Sequence, residues 1–130
     1  MDVPILRQGN TAITVLHEEM TDSDLIDLQS RLTDYVGDER IEGVIMDISA
    51  LDTMDSFGTG LLRNTCYMTR CRGAETVVVG MRPEVAFSMV QLGLQLADIP
   101  TALDLDEGIS MLKERLALKH STDTTALEFL

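Results

Sequence analysis

Val44-Ile45-Met46-Asp47-Ile48, followed by Ser49-Ala50-Leu51-Asp52-Thr53-Met54-Asp55 and then Ser56-Phe57-Gly58-Thr59-Gly60, is the stretch on which the fold turns. Its first five residues form a short apolar run rich in β-branched side chains, the pattern of a strand buried on both faces. Leu51 to Asp55 reads as a loop, and a helix is expected to begin near Ser56. A buried strand that passes through a polar loop into a helix is the repeating unit of a parallel α/β sheet.

Upstream, Val3-Pro4-Ile5-Leu6 and Thr11-Ala12-Ile13-Thr14-Val15-Leu16 read as two short strands. Gly9-Asn10 between them is a turn signal, so an N-terminal hairpin is expected. Thr21-Asp22-Ser23-Asp24 offers helix N-caps with early negative charge. Leu25, Leu28, Leu32 and Val36 follow at helical spacing, and Gly37 is expected to close that helix. Downstream, Arg70 and Arg72 suit the negative end of the helix begun near Ser56, and Gly73 suits its stop. Thr76-Val77-Val78-Val79-Gly80 is the clearest strand. Arg82-Pro83-Glu84 opens a further helix with Val85, Met89 and Leu92 as its stripe and Gly93 as its end. Ile99 to Ala102 reads as a short strand. Asp104 with Glu107 resembles a capping box ahead of the stripe Leu105, Ile109, Leu112 and Leu116.

The order ββαβαβαβα argues for an α/β fold: one domain over residues 1–117 with a mixed, mostly parallel sheet, an N-terminal hairpin and about four helices. From residue 118 the pattern dissolves into Lys119-His120-Ser121-Thr122-Asp123-Thr124-Thr125, so residues 118–130 are expected as a polar, mobile tail closed by the more apolar Ala126-Leu127-Glu128-Phe129-Leu130.

The chain has 130 residues, 45% hydrophobic and 25% charged, which suits a single globular domain that needs no metal or disulfide staple. Its net charge of −12 repels phosphate backbones and anionic lipid, which argues against nucleic acid and membrane partners. A basic protein partner is favoured, although solubility alone explains such a surface. There is no run of about eighteen apolar residues to span a bilayer. The N-terminus also lacks the basic flank and apolar core of a signal peptide, so a cytoplasmic protein is expected. Cys66 and Cys71 would lie about 140° apart around a helix, so they are expected to remain separate reduced thiols.

The candidate site is Asp52-Thr53-Met54-Asp55-Ser56-Phe57-Gly58-Thr59-Gly60, at the carboxyl end of the central strand, where α/β sheets collect their ligands and working loops. Ser56 is expected at the N-cap or in the first turn with an exposed hydroxyl. It either only caps the helix or accepts a phosphate, which would bring roughly −1.5 to −2 charges to a helix start beside Asp52 and Asp55. Thr59, on the same helix turn, is a candidate second acceptor. Asp52, Asp55, Phe57, Gly58 and Gly60 surround Ser56 as candidate partner-recognition positions.

Catalysis and cofactor binding find little support. Gly58-Thr59-Gly60 lacks the third glycine and the acid of a dinucleotide fingerprint. Met54-Asp55-Ser56-Phe57-Gly58 lacks the first glycine of a nucleophile elbow, and neither His17 nor His120 is placed as a general base. Asp22, Asp24 and Asp27 lack the glycine and glutamate of a calcium loop, and His17-Glu18-Glu19 is too isolated for zinc. No cofactor or metal is expected.

Beyond these local patterns, the chain resembles the STAS domain family, which includes bacterial anti-sigma-factor antagonists, and within it the short scaffold proteins of the stressosome. The resemblance is carried by Val3-Pro4-Ile5-Leu6, Met54-Asp55-Ser56-Phe57 and Gly73-Ala74-Glu75-Thr76-Val77-Val78-Val79-Gly80-Met81-Arg82-Pro83-Glu84-Val85-Ala86. It continues in Gln91-Leu92-Gly93-Leu94 and Thr101-Ala102-Leu103-Asp104-Leu105-Asp106-Glu107-Gly108-Ile109, and it covers residues 3 to 117. It implies that a partner serine/threonine kinase, which itself binds ATP, phosphorylates Ser56, and that a phosphatase resets it. It also implies a non-enzymatic scaffold that retains the kinase until modified, and homo- and hetero-oligomers with longer STAS sensor proteins. A simple anti-sigma-factor antagonist is the alternative within the family, and a small serine hydrolase is the alternative outside it.

Overall fold

The computed structural model describes residues 3–93 and 99–128, with side chains of the last helix described as far as His120. Leu94 and the closing Phe129-Leu130 lie outside the described residues. The elements run β1 (Leu6–Gln8), β2 (Thr11–Val15), α1 (Asp22–Asp38), β3 (Gly43–Asp47), α2 (Ser56–Cys71), β4 (Glu75–Val79), α3 (Pro83–Gln91), β5 (Thr101–Ala102) and α4 (Leu105–Glu128). This is the expected α/β order with a mixed sheet. The strands lie side by side in sequence order, β1-β2-β3-β4-β5. β1 is antiparallel to β2, and the remaining pairs are parallel.

Strands that advance one place at a time through right-handed crossovers put their connecting helices on one face of the sheet. The packing follows that rule. Ala12, Val44, Met46 and Val78 bury against Leu28, Leu32, Leu62, Cys66, Val85 and Met89 of α1, α2 and α3. The alternate residues Ile45, Val77 and Val79 point to the other face, where Leu112 of α4 covers them. A period of two in the strands thus divides the apolar residues between two layers.

Several local expectations shift. The first strand is Leu6–Gln8, not Val3–Leu6. Pro4 has no amide to give a ladder, and the Gly9-Asn10 turn obliges Gln8 to face Thr11. Gly37 does not end α1, which continues to Asp38 with Arg40 taking a left-handed φ of 52°. Gly37 instead leaves a notch: a Cβ there would meet the Arg72 guanidinium at 1.8 Å. Thr21 and Asp24 cap α1 reciprocally, and the Thr21 amide holds the Asp24 carboxyl below its ordinary range. Leu92 of the expected α3 stripe is exposed, and the last strand shortens to Thr101–Ala102. The expected boundary at 117/118 falls inside α4, which runs on to Glu128. No glycine or proline follows Gly108 to interrupt it.

Candidate functional site

The segment from Ile48 to Asp55 carries the chain from the end of β3 to the start of α2, and it is tied down on both sides. The Asp52 amide donates to Glu18 Oε1 beyond β2 at 2.7 Å. On the other side Arg82, the N-cap of α3, donates from Nε to the Ser49 carbonyl at 2.8 Å and pairs with the Asp52 carboxylate. Gly80, at φ 77°, lets the end of β4 pass close to this segment, because a Cβ there would lie 2.7 Å from Ser49 Cβ. Arg82 is 30 residues from Asp52, so this strap carried no local signal in the sequence.

Asp55, not Ser56, is the N-cap of α2. Its carboxylate accepts from the Gly58 amide at 2.7 Å. Gly58 suits the position because a side chain would crowd that carboxylate, with a Cβ 3.2 Å from Asp55 Oδ1. Ser56 therefore occupies the first helical position, exposed, and among the described residues its hydroxyl makes no hydrogen bond. Asp52 and Phe57 are exposed beside it, and a Cβ on Gly60 would find open space. These residues form one outward surface at the carboxyl edge of the sheet.

Thr59 does not belong to that surface. It is fully buried, and among the described residues its Oγ1 has no hydrogen-bond partner. As a second acceptor it would be reached only by opening the first turns of α2. The signal that places it inside was present in the spacing, since Thr59, Leu62, Cys66 and Thr69 recur at helical intervals on one buried face.

Behind the first turn of α2 lies a cavity of about 430 Å³ between α1, the end of β2 and α2. Leu28, Met46 and Leu62 form part of its floor, and Glu18, Asp22 and Asp55 stand among its lining. Sequence reasoning missed it, because its walls come from three separate segments. His17 also lines this cavity. Among the described residues no group of three or more His, Cys, Asp or Glu is arranged to hold a metal ion. No helix among them is long and apolar enough to cross a membrane.

The STAS domain family matches residues 3–108, most of the chain and all of the sheet with this loop and α2. The chain belongs to the STAS domain family. Among solved structures this STAS protein is similar to RsbS of Moorella thermoacetica, there carrying a serine-to-glutamate substitution. The identity is 29%, the TM-score is 0.79, and the match covers 90% of this chain and 99% of that one. It is similar also to a chain in the molecular architecture of the stressosome, a signal integration and transduction hub, at 30% identity and a TM-score of 0.76 over 87% of this chain and 98% of that one. In sequence it is similar to the RsbT co-antagonist protein RsbRA of Bacillus subtilis, 28% identical over 82 residues, which are 63% of this chain. The match spans only 30% of RsbRA, so the STAS chain corresponds to a part of that longer protein. The STAS chain is thus RsbS-like in fold and sequence.

Proposed function

We propose that this STAS protein is a non-catalytic, cytoplasmic stressosome scaffold whose hold on a serine/threonine kinase is switched by phosphorylation of Ser56. The observation that carries the reading is the division of labour at the start of α2. Asp55 caps the helix, which leaves the exposed Ser56 hydroxyl uncommitted. A serine needed as a cap would be a poor acceptor, because modifying it would damage the helix. A serine one residue further on can be modified with the fold intact.

Phosphate at Ser56 adds a second strong negative charge beside Asp55, at a surface where Arg82 already pairs with Asp52. A kinase docked on the unmodified surface would lose contacts and gain repulsion there. A loss of about 3 kcal/mol weakens binding more than a hundredfold. The resemblance to RsbS and to RsbRA supports oligomers of this chain with longer STAS co-scaffolds, and a phosphatase completes the cycle.

Phosphopeptide mass spectrometry after incubation with ATP and the cognate kinase tests the acceptor. Phosphate on Ser56, its absence in Ser56→Ala, retained kinase capture by Ser56→Ala and weakened capture by Ser56→Asp are expected. A folded chain left unmodified by an active kinase would remove the switch. Light scattering with the co-scaffold separates a large assembly from the small complex of a simple anti-sigma-factor antagonist.

A further inference from the structure

We propose that the cavity between α1 and α2 is a binding site for a small amphipathic cation, an apolar chain or ring ending in an ammonium-like group. Its volume of about 430 Å³ lies within the roughly 300–1,000 Å³ of small-molecule sites. The floor is apolar, with Leu28, Met46 and Leu62 almost wholly buried beneath it. Two polar side chains of its wall are paired, since Gln29 Nε2 donates to Thr65 Oγ1 at 3.0 Å and Thr65 Oγ1 donates to the Leu61 carbonyl at 2.7 Å. An apolar ligand body therefore covers this floor without stranding the Gln29 and Thr65 donors.

The sign of the head group follows from the lining. Glu18 and Asp22 reach it from the stretch that leads into α1 and Asp55 from the start of α2, and no lysine or arginine is among its described lining residues. Two helix starts flank the cavity, and helix starts often hold anions. Here capping has already engaged donors at both: the Asp24 amide gives to Thr21 Oγ1, the Thr21 amide to Asp24 Oδ2, and the Gly58 amide to Asp55 Oδ1. An anion would meet carboxylates without those amides, whereas a cation meets complementary charge in a chain whose net charge is −12. The site shares Asp55 and Gly58 with the surroundings of Ser56, but the inference does not rest on the phosphorylation reading, and its test needs neither kinase nor ATP.

Amide-resolved NMR titration of the full chain with n-octylammonium tests the proposal, with octanoate, octanol and spermidine as charge-reversed, neutral and chainless controls. Saturable shifts at Glu18, Asp22, Gly58 and Leu62 are expected, with octylammonium binding at least tenfold tighter than octanoate or spermidine. The pair Glu18→Gln with Asp22→Asn should weaken octylammonium at least fivefold and leave octanol unchanged. Leu61→Trp, which puts a larger side chain on the cavity lining, should abolish both. Equal binding of octanoate or spermidine would overturn the assignment, as would shifts confined to Phe87 and Val90. Shifts at these amides from a basic apolar peptide, but not from octylammonium, would assign the cavity to a protein partner instead.

Discussion

At its carboxyl end α2 is held by bonds that close inside the core, whereas at its amino end the polar groups face solvent or find no partner. Near the carboxyl end the Thr69 hydroxyl bonds the Cys66 carbonyl at 2.9 Å and the Thr76 hydroxyl of β4 at 2.8 Å. The Ala74 amide returns to the Thr69 carbonyl at 3.0 Å, Gly73 turns the chain at φ 97°, and the Arg72 guanidinium lies against Gly37 of α1. At the amino end one exposed carboxylate caps the helix, Ser56 and Phe57 stand in solvent, and the Thr59 hydroxyl is buried with no partner among the described residues. Stability is concentrated away from the surface that a partner would read. Under the proposed switch, a charge added at Ser56 therefore changes recognition more than it changes folding.

The widest contrast expected is chemical. Cys66 is buried, and that burial pushes its thiol up to about 12, whereas Cys71 at the helix end is exposed. Timed alkylation read by mass spectrometry should modify Cys71 rapidly and spare Cys66 until the chain unfolds, a difference of orders of magnitude. The buried neutral thiol favours the folded state below its ordinary value of 9.0, and that contribution is lost as pH rises from there toward about 12. Equal labelling of both thiols at neutral pH would break the claim that this end is closed.

Thr69→Val should come next, costing about 1–3 kcal/mol in denaturant unfolding, because it removes the bond between α2 and β4 and strands the Thr76 hydroxyl. Asp55→Ala should cost about 1 kcal/mol through loss of the cap. Ser56→Ala and Thr59→Val should lie within about 0.5 kcal/mol of the parent. For Thr59→Val the change replaces an unpartnered buried hydroxyl with a methyl group, so any shift should favour the folded state. A large loss in Ser56→Ala would show that Ser56 holds the helix start after all, and the two ends would then no longer differ in kind.

The sequence displayed the elements because their signals are local. Three valines before Gly80, a proline at the first position of α3 and Gly9-Asn10 between two strands each act within a few residues. The fold and the exposure of Ser56 followed from such patterns. Two expectations changed for a common reason. Gly37 reads as a helix stop until Arg72 is seen to need the space, and Thr59 reads as a candidate acceptor when only its place on the turn of Ser56 is considered. Ser56 keeps the first-turn place expected of it, with Asp55 as the cap. Beyond Leu118 the composition turns polar, yet α4 runs on to Glu128, because no glycine or proline interrupts it.

The amino-acid sequence by itself determined an acidic α/β chain, with its candidate serine at a helix start after the central strand. These follow from hydrophobic period, turn chemistry and charge, which are properties of neighbours along the chain. Only the tertiary structure decided that Arg82 straps the loop through Ser49 and Asp52, that Thr59 is sealed inside, and that a cavity opens between α1 and α2. Each of these depends on groups brought together from distant segments, and their proximity is set by how the helices pack on the sheet rather than by any preference of the residues themselves.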